Sequence, residues 1–482
     1  MNRHMVAFVC GRILLLLVAL LLPSLIVALV YGEGWTGVWP FLVTMLIAAA
    51  PGLALSLRRP TNTRIYSREG FVIVALSWFG FSVIGALPFL LSGVITCPID
   101  AFFEAASGFT TTGASILLDV EALPHSLLFW RSFTHLIGGM GVLVFALAVL
   151  PSIESDDVSI MQAEVPGPVF GKLRARLSHT ARLLYLIYLA MTAVLVVFLC
   201  LGGMPLFDAL VHSFGTAGTG GFGIKNNSVA FYNSSYIDYC LAIGMFLFGV
   251  NFNLYYMLLY RRGREILRNE ELRWYLGIAL AAIIAISLDL IPHYSSFSHL
   301  IRDVVFSVSS VMTTTGFSIV DFAAWPLFSR IVLLLLMFVG AMAGSTAGGL
   351  KVSRVAIYAK TFIQELRLQV SPNRRLPVRF EGRPLGSHLL TRTGRYLFLY
   401  IGVFTILLLI TSFNAPNFLS AFSAVAATFN NIGPGFDVVG PTGNFAGFNR
   451  PTTLVLAIGM IMGRLEIIPV LVLLAPRSWR RG

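Results

Sequence analysis

Long stretches of this chain run without an Asp, Glu, Lys or Arg, and Ile13–Gly32, Gly34–Leu57, Gly70–Ile99, Leu183–Phe207, Tyr239–Tyr260 and Ile331–Leu350 are each 20 residues or longer. Each, as a helix, is long enough to cross a hydrocarbon core of about 30 Å. Soluble domains carry about 25% charged residues. This chain carries 12%, against 57% hydrophobic, which is more apolar surface than a water-soluble core can hide. The fold class that follows is an all-α integral membrane protein.

The net charge of +12 could suggest nucleic acid, but its placement argues for a membrane and against that partner. Of the 34 Lys and Arg residues, 28 fall at the N-terminus, in Arg58–Arg68, Lys172–Arg182, Arg261–Arg273 and Lys351–Arg395, and in the tail Arg477–Arg481. If those segments face the cytoplasm, Arg131, Lys225, Arg302, Arg330 and Arg450 lie opposite, and Arg464 lies within a span. That asymmetry puts both termini inside. The N-terminal leucine-rich run shows no small-residue cleavage pattern and meets another span at once, so it reads as a retained anchor. Cys10, Cys97, Cys200 and Cys240 are scattered without metal-type spacing and read as packing residues.

Counting spans against the basic loops gives about ten crossings. A hairpin comes first, about 13–32 and 37–57, and then a unit of long apolar segment, short polar-edged segment, long apolar segment occurs four times. The divisions are 1–69, 70–182, 183–273, 274–394 and 395–482, the first being the hairpin with its loop and the rest the repeats. The short segments share a skeleton. They end Phe109-Thr-Thr-Thr-Gly113, Phe214-Gly-Thr-Ala-Gly218, Met312-Thr-Thr-Thr-Gly316 and Phe429-Asn-Asn-Ile-Gly433, with Phe103, Phe207, Phe306 and Phe422 ten or eleven residues before the glycine. In the second repeat, Gly218-Thr-Gly-Gly221 offers three glycines; spacing from Phe214 favours Gly218.

About ten apolar residues are too few to span, which makes each short segment a re-entrant half-helix. The polar, glycine-ended strip behind it cannot face lipid, because its backbone groups would go unpaired; it must be buried or line a watery path. Four strips around one axis can present carbonyl oxygens that replace the hydration shell of an ion. The expected architecture is therefore a two-helix hairpin plus four helix–pore-loop–helix repeats around one pseudo-fourfold ion pathway.

These strips, with Ile137-Gly-Gly-Met-Gly141, Gly344-Ser-Thr-Ala-Gly-Gly-Leu-Lys351 and Asn430-Asn-Ile-Gly-Pro-Gly-Phe436, resemble the Trk/Ktr/HKT superfamily of cation transporters, and within it the Trk membrane subunit, over essentially the whole chain. The resemblance implies a potassium filter formed by Thr111, Thr112, Gly113, Ala217, Gly218, Thr314, Thr315, Gly316, Asn431, Ile432 and Gly433. Glycine at all four terminal positions goes with potassium preference in that family. It also implies a gate at Gly344, Ser345, Thr346, Ala347, Gly348, Gly349 and Lys351. Read alone, those small residues suit a close-packed helix interface equally well. Arg464 is expensive at membrane depth, and alone it reads as a snorkelling or paired arginine or as a charge facing a cavity. The resemblance puts it in the pathway beneath the filter, where it would repel cations. Glu466 is assigned no role.

No Walker motif, Rossmann fingerprint or metal-ligand cluster is apparent in the sequence, so the chain reads as no enzyme and as having no organic cofactor. Potassium is the transported ion. The competing reading is a secondary transporter of another small solute or a sodium-coupled cation symporter, since broken helices and repeats mark those too. Anionic membrane lipids suit the basic loops. The resemblance adds a homodimer, a cytosolic nucleotide-binding regulatory ring and a place in the bacterial inner membrane.

Overall fold

The computed structural model describes residues 1–57, 60–62, 65–141, 177–371 and 377–479. Arg58, Arg59, Arg64, Lys172, Arg174, Arg176, Arg374, Arg375, Arg480 and Arg481, a short acidic run in the sequence at Glu154–Asp157, and the far end of the first repeat lie outside the described residues.

The hairpin comes first. The helix Arg3–Val30 starts where the Asn2 side chain accepts from the Met5 amide, and it ends at a turn in which Gly32 and Gly34 take φ of 63° and 67°. Those left-handed angles cost glycine little. The helix Gly34–Ser56 runs back alongside. At the other end of this hairpin, Arg3 donates to the Trp479 carbonyl (2.6 Å) and the Asn2 amide to Glu69 (3.1 Å), so both chain ends sit on one face of the protein.

Each repeat opens with a long helix: Ser67–Leu91, Leu177–Leu201, Glu270–Leu290 and Ser387–Ser412. A short pore helix follows: Pro98–Phe109, Leu206–Gly218, Phe297–Met312 and Phe418–Phe429. At 12 to 16 residues, these rise only about 18–24 Å and cannot span. They are sheathed by the long helices, and their C-terminal turns are buried in every repeat.

The second helix is broken in the second, third and fourth repeats, and in the first its described part ends early. In the first, His125–Gly139 stops at Met140 and Gly141; in the second, Ser235–Phe248 and Phe252–Leu259 meet at 90°. The third has Leu327–Val339, a coil at 340–351, then Val352–Val370; the fourth has Arg450–Arg464 and Ile468–Leu474 meeting at 119°. Among the described residues, six unbroken helices are long and apolar enough to cross a membrane, or eight if each bent pair counts as one span. The protein is thus a multi-pass, all-α membrane protein whose breaks recur at equivalent places. Sequence reading located one of those breaks.

Candidate functional site

Each pore helix ends in a strip with one backbone signature. A non-glycine residue takes a left-handed φ, and two residues later a glycine does the same: Thr111 (54°) and Gly113 (78°), Thr219 (55°) and Gly221 (76°), Thr314 (56°) and Gly316 (86°), Asn431 (57°) and Gly433 (97°). The amide of the middle residue turns back to the pore helix. Thr112 donates to Ser107 O (2.9 Å), Gly220 to Gly215 O (2.7 Å), Thr315 to Ser310 O (2.8 Å) and Ile432 to Ala427 O (2.8 Å). With the donors consumed on that side, no hydrogen bond among the described residues ends on the carbonyl oxygens of Thr112, Gly220, Thr315 or Ile432. All four residues are buried. Buried carbonyls of this kind are rarely left without a partner.

The strips close into a ring. A Cβ on Gly113 would overlap the Gly220 carbonyl, one on Gly221 that of Thr315, one on Gly316 that of Ile432, and one on Gly433 that of Thr112. The repeats therefore follow one another in chain order around an axis, each glycine pressed against its neighbour's carbonyl. Only a residue without a side chain fits there, at a φ that glycine also favours. The four glycines, with Arg131 and Ser318, line a vestibule of about 250 Å³.

This register corrects the sequence reading of the second repeat. Gly218 is the last residue of its pore helix and matches Thr110, Thr313 and Asn430; Ala217 matches Phe109, Met312 and Phe429. A Cβ on Gly218 would meet the His135 carbonyl, behind the ring. The equivalent strip is Thr219-Gly220-Gly221. Phe214 misled because the second pore helix carries its aromatic one turn earlier, with alanine where the others have Phe109, Met312 and Phe429.

Behind the strips are groups that sequence reading passed over. Arg131, counted there only as an outer cation, is 2% exposed, and it bonds Glu104 through Nε (2.8 Å), the Gly223 carbonyl (3.2 Å) and Ser115 Oγ (3.2 Å). Glu104 also accepts from the Ile116 amide (3.0 Å), and the guanidinium stacks over Phe222 at 4.0 Å. This buried pair bolts the first strip to the second. His135 does the same one layer deeper. Its Nδ1 lies 2.8 Å from the Gly108 carbonyl and its Nε2 accepts from the Phe222 amide (3.3 Å), which assigns the proton to Nδ1. An arginine and a histidine four apart on the second helix, Arg131 and His135, were the available signal.

Beneath the ring lies the coil 340–351. It is bounded by left-handed angles at Gly340 (70°) and Lys351 (78°). Gly348 N–H donates to Thr314 Oγ1 of the third strip (2.7 Å), and a Cβ on Gly348 would overlap the Asn430 carbonyl of the fourth. Met342 N–H reaches Gly249 O (3.1 Å) and Phe252 N–H reaches Gly344 O (3.1 Å), both across the break of the second repeat. Lys351 Nζ donates to the Ala347 carbonyl within the coil. Gly344, Ser345, Thr346, Ala347, Gly348 and Gly349 therefore form a packed loop directly under the strips.

Arg464 is 6% exposed and ties this loop to the first repeat, donating to Thr346 O (2.5 Å), Gly138 O (2.6 Å) and Gly139 O (2.7 Å). Broken helices leave carbonyls without intrahelical donors; one guanidinium takes three of them. Glu466, two residues on, forms a bidentate pair with Arg354 (2.9 and 2.6 Å), just past the loop.

Fold and site together define a membrane protein of the cation-transport class, with four re-entrant loops around one axis. The chain matches the family model TrkH, described as a cation transport protein, over residues 41–481. It is 38% identical to the Trk system potassium uptake protein TrkH of Salmonella typhimurium, over 96% of each chain. It is 36% identical to the protein of that name from Escherichia coli K12, over 100% of each. The crystal structure of the potassium transporter TrkH from Vibrio parahaemolyticus superposes with a TM-score of 0.89 at 33% identity, over 100% of each chain. The chain belongs to the TrkH family.

Proposed function

We propose that this protein carries out potassium uptake across the bacterial inner membrane through one gated pore per chain, with both termini cytoplasmic. The observation that carries the reading is the closed ring of four buried strips whose middle carbonyls accept no hydrogen bond. A dehydrated cation is the partner such oxygens suit, and a ring of them replaces its water. The names of the relatives supply potassium as that cation.

In this reading the ion sheds water at Thr112, Gly220, Thr315 and Ile432 and the flanking glycines, with Thr111, Gly113, Thr219, Gly221, Thr314, Gly316, Asn431 and Gly433 completing the filter. It then meets the loop Gly344–Lys351, which acts as the gate, and the positive charge of Arg464, which raises a barrier. Pairing of two copies and a cytosolic nucleotide-binding ring that works the gate belong to the same proposal.

The test is cation flux from liposomes holding purified protein. Potassium and rubidium pass well ahead of sodium, and Gly113→Ser lowers that preference by about tenfold, or about 1.4 kcal/mol of discrimination. Equal passage of sodium by the unaltered protein overturns the reading.

A further inference from the structure

One buried carboxylate in this region has no place in the function proposed above. Glu271 sits in the first turn of the helix Glu270–Leu290 and is 5% exposed. Its Oε1 accepts from two backbone amides at opposite ends of the loop beneath the strips: Ala343 N–H at 2.7 Å and Ser353 N–H at 3.2 Å. The first amide lies just past the end of Leu327–Val339. The second lies in the first turn of Val352–Val370.

One oxygen thus spans the mouth of the loop, and the helix end that supplies the Ser353 amide favours negative charge there. Lys351, at the end of the loop, interacts electrostatically with Glu271 and also with Arg464, Arg354 and Glu466. The loop's two ends are held together by Glu271 and by two backbone bonds, Leu350 N–H to Phe338 O (3.1 Å) and Val352 N–H to Ala341 O (3.0 Å).

Glu271 is itself held from outside the membrane-spanning part. The two-stranded hairpin Arg379–Phe380 and Arg383–Pro384 turns at Glu381, whose Oε1 accepts from the amides of Glu270 (2.9 Å) and Glu271 (3.1 Å). Glu270 returns the contact by accepting from the Glu381 amide (2.9 Å) and from Lys360 Nζ. The start of the helix, which would otherwise carry orphan amides, is therefore capped by a side chain from the hairpin. The turn residues Gly382 and Arg383 are exposed.

We propose that Glu271 is the clasp that keeps the loop shut, and that the hairpin Arg379–Pro384 sets the clasp through Glu381. Glu271 is a positioning residue: it touches no ion. The exposed hairpin becomes the handle by which the cytoplasmic surface reaches the loop, since displacing Glu381 uncaps the turn that carries Glu271. This rests on reading Gly344–Lys351 as the gate.

The test uses the full chain in liposomes, with hydrogen exchange of the amides in 340–354 as a readout independent of transport. Glu271→Ala is expected to speed exchange at Ala343 and Ser353 and to raise potassium flux at least threefold. The potassium-to-sodium ratio should not change, and Glu271→Gln, which keeps an acceptor, should fall between. Glu381→Ala is expected to speed the same amides by a smaller factor, and it serves where Glu271→Ala does not fold. Unchanged exchange at 343 and 353 in both alanine variants overturns the clasp, as does faster exchange spread over the whole protein. Deleting Ser345–Gly348 separates the two readings. If the deletion raises flux and Glu271→Ala does not, the gate stands and the clasp falls; if neither does, the gate reading itself fails.

Discussion

The layer of the four strips and the layer of the helix breaks come from the same repeats, yet they differ in kind. In the upper layer, one pattern of φ angles and one amide-to-carbonyl bond recur four times, and each glycine meets its neighbour's carbonyl. In the lower layer the described breaks differ from one another. The third is a long coil, the second a 90° bend, and the fourth supplies Arg464 to the first and third. An ion on an axis is bound by equivalent ligands, so repetition serves binding. A barrier that opens needs a part that moves against parts that do not, and asymmetry supplies it.

The upper layer has a departure from symmetry in the Glu104–Arg131 pair, which offers the largest test of how far its regularity depends on support from behind. Glu104→Ala leaves a buried guanidinium without its carboxylate and should cost about 3–5 kcal/mol. Thermal unfolding of the purified protein measures this; a small change would mean that the ring stands without the pair.

Next comes the lower layer's cross-link. Arg464→Ala removes charge-assisted bonds to three carbonyls from two repeats, with an expected loss of about 3 kcal/mol. Potassium flux should rise several-fold as the loop loosens. A stable variant with unchanged flux would make the lower asymmetry structural only.

The smallest effect belongs to an exposed carboxylate beside the fourth pore helix. The Asp437 carboxylate accepts from Ser420 Oγ (2.5 Å) and from Asn417 Nδ2 (2.6 Å), at the start of the fourth pore helix. Those bonds hold it below its ordinary 3.8. A depressed carboxyl stabilises fully above its unfolded value, and that stability is lost as pH falls through the lower, folded value. Asp437 is exposed, so the contribution is under about 1 kcal/mol. Asp437→Asn should match the unaltered protein in flux between pH 6 and 8, to within about twofold, and differ from it in thermal stability only slightly. A large loss of flux would give this exposed carboxylate a part in conduction.

Much of the upper layer was legible in the sequence because it is local. A short apolar run followed by Thr-Thr-Gly or Asn-Ile-Gly fixes a half-helix and a strip without reference to anything distant. The second repeat escaped because its aromatic, Phe214, sits a turn early and because a threonine stands two positions before each candidate glycine, Thr216 before Gly218 and Thr219 before Gly221; the left-handed angles at Thr219 and Gly221 and the approach of Gly221 to the Thr315 carbonyl decide between them. The lower layer was hardly legible. Arg464 stood out as a charge in an apolar span, but its partners Thr346, Gly138 and Gly139 lie more than 100 residues away and offer only carbonyls, which every residue possesses. Likewise Glu466 and Arg354, 112 residues apart, carry no mutual mark in the sequence. The helix break at Gly249–Asn251 was hidden within a charge-free run, where composition speaks for a continuous span, and the break at Leu465–Ile467 was marked only by the charges of Arg464 and Glu466.

Whether four equivalent strips make one cation filter is decided by comparing Gly221→Ser with Gly218→Ser in rubidium and sodium flux from liposomes. Gly221→Ser places a side chain against the Thr315 carbonyl in the ring, and the account expects the preference for rubidium to fall about tenfold. Gly218→Ser crowds His135 behind the ring, so it should lower the yield of folded protein while the surviving molecules keep their preference. The reverse pattern, with selectivity lost at Gly218 and kept at Gly221, would contradict the account.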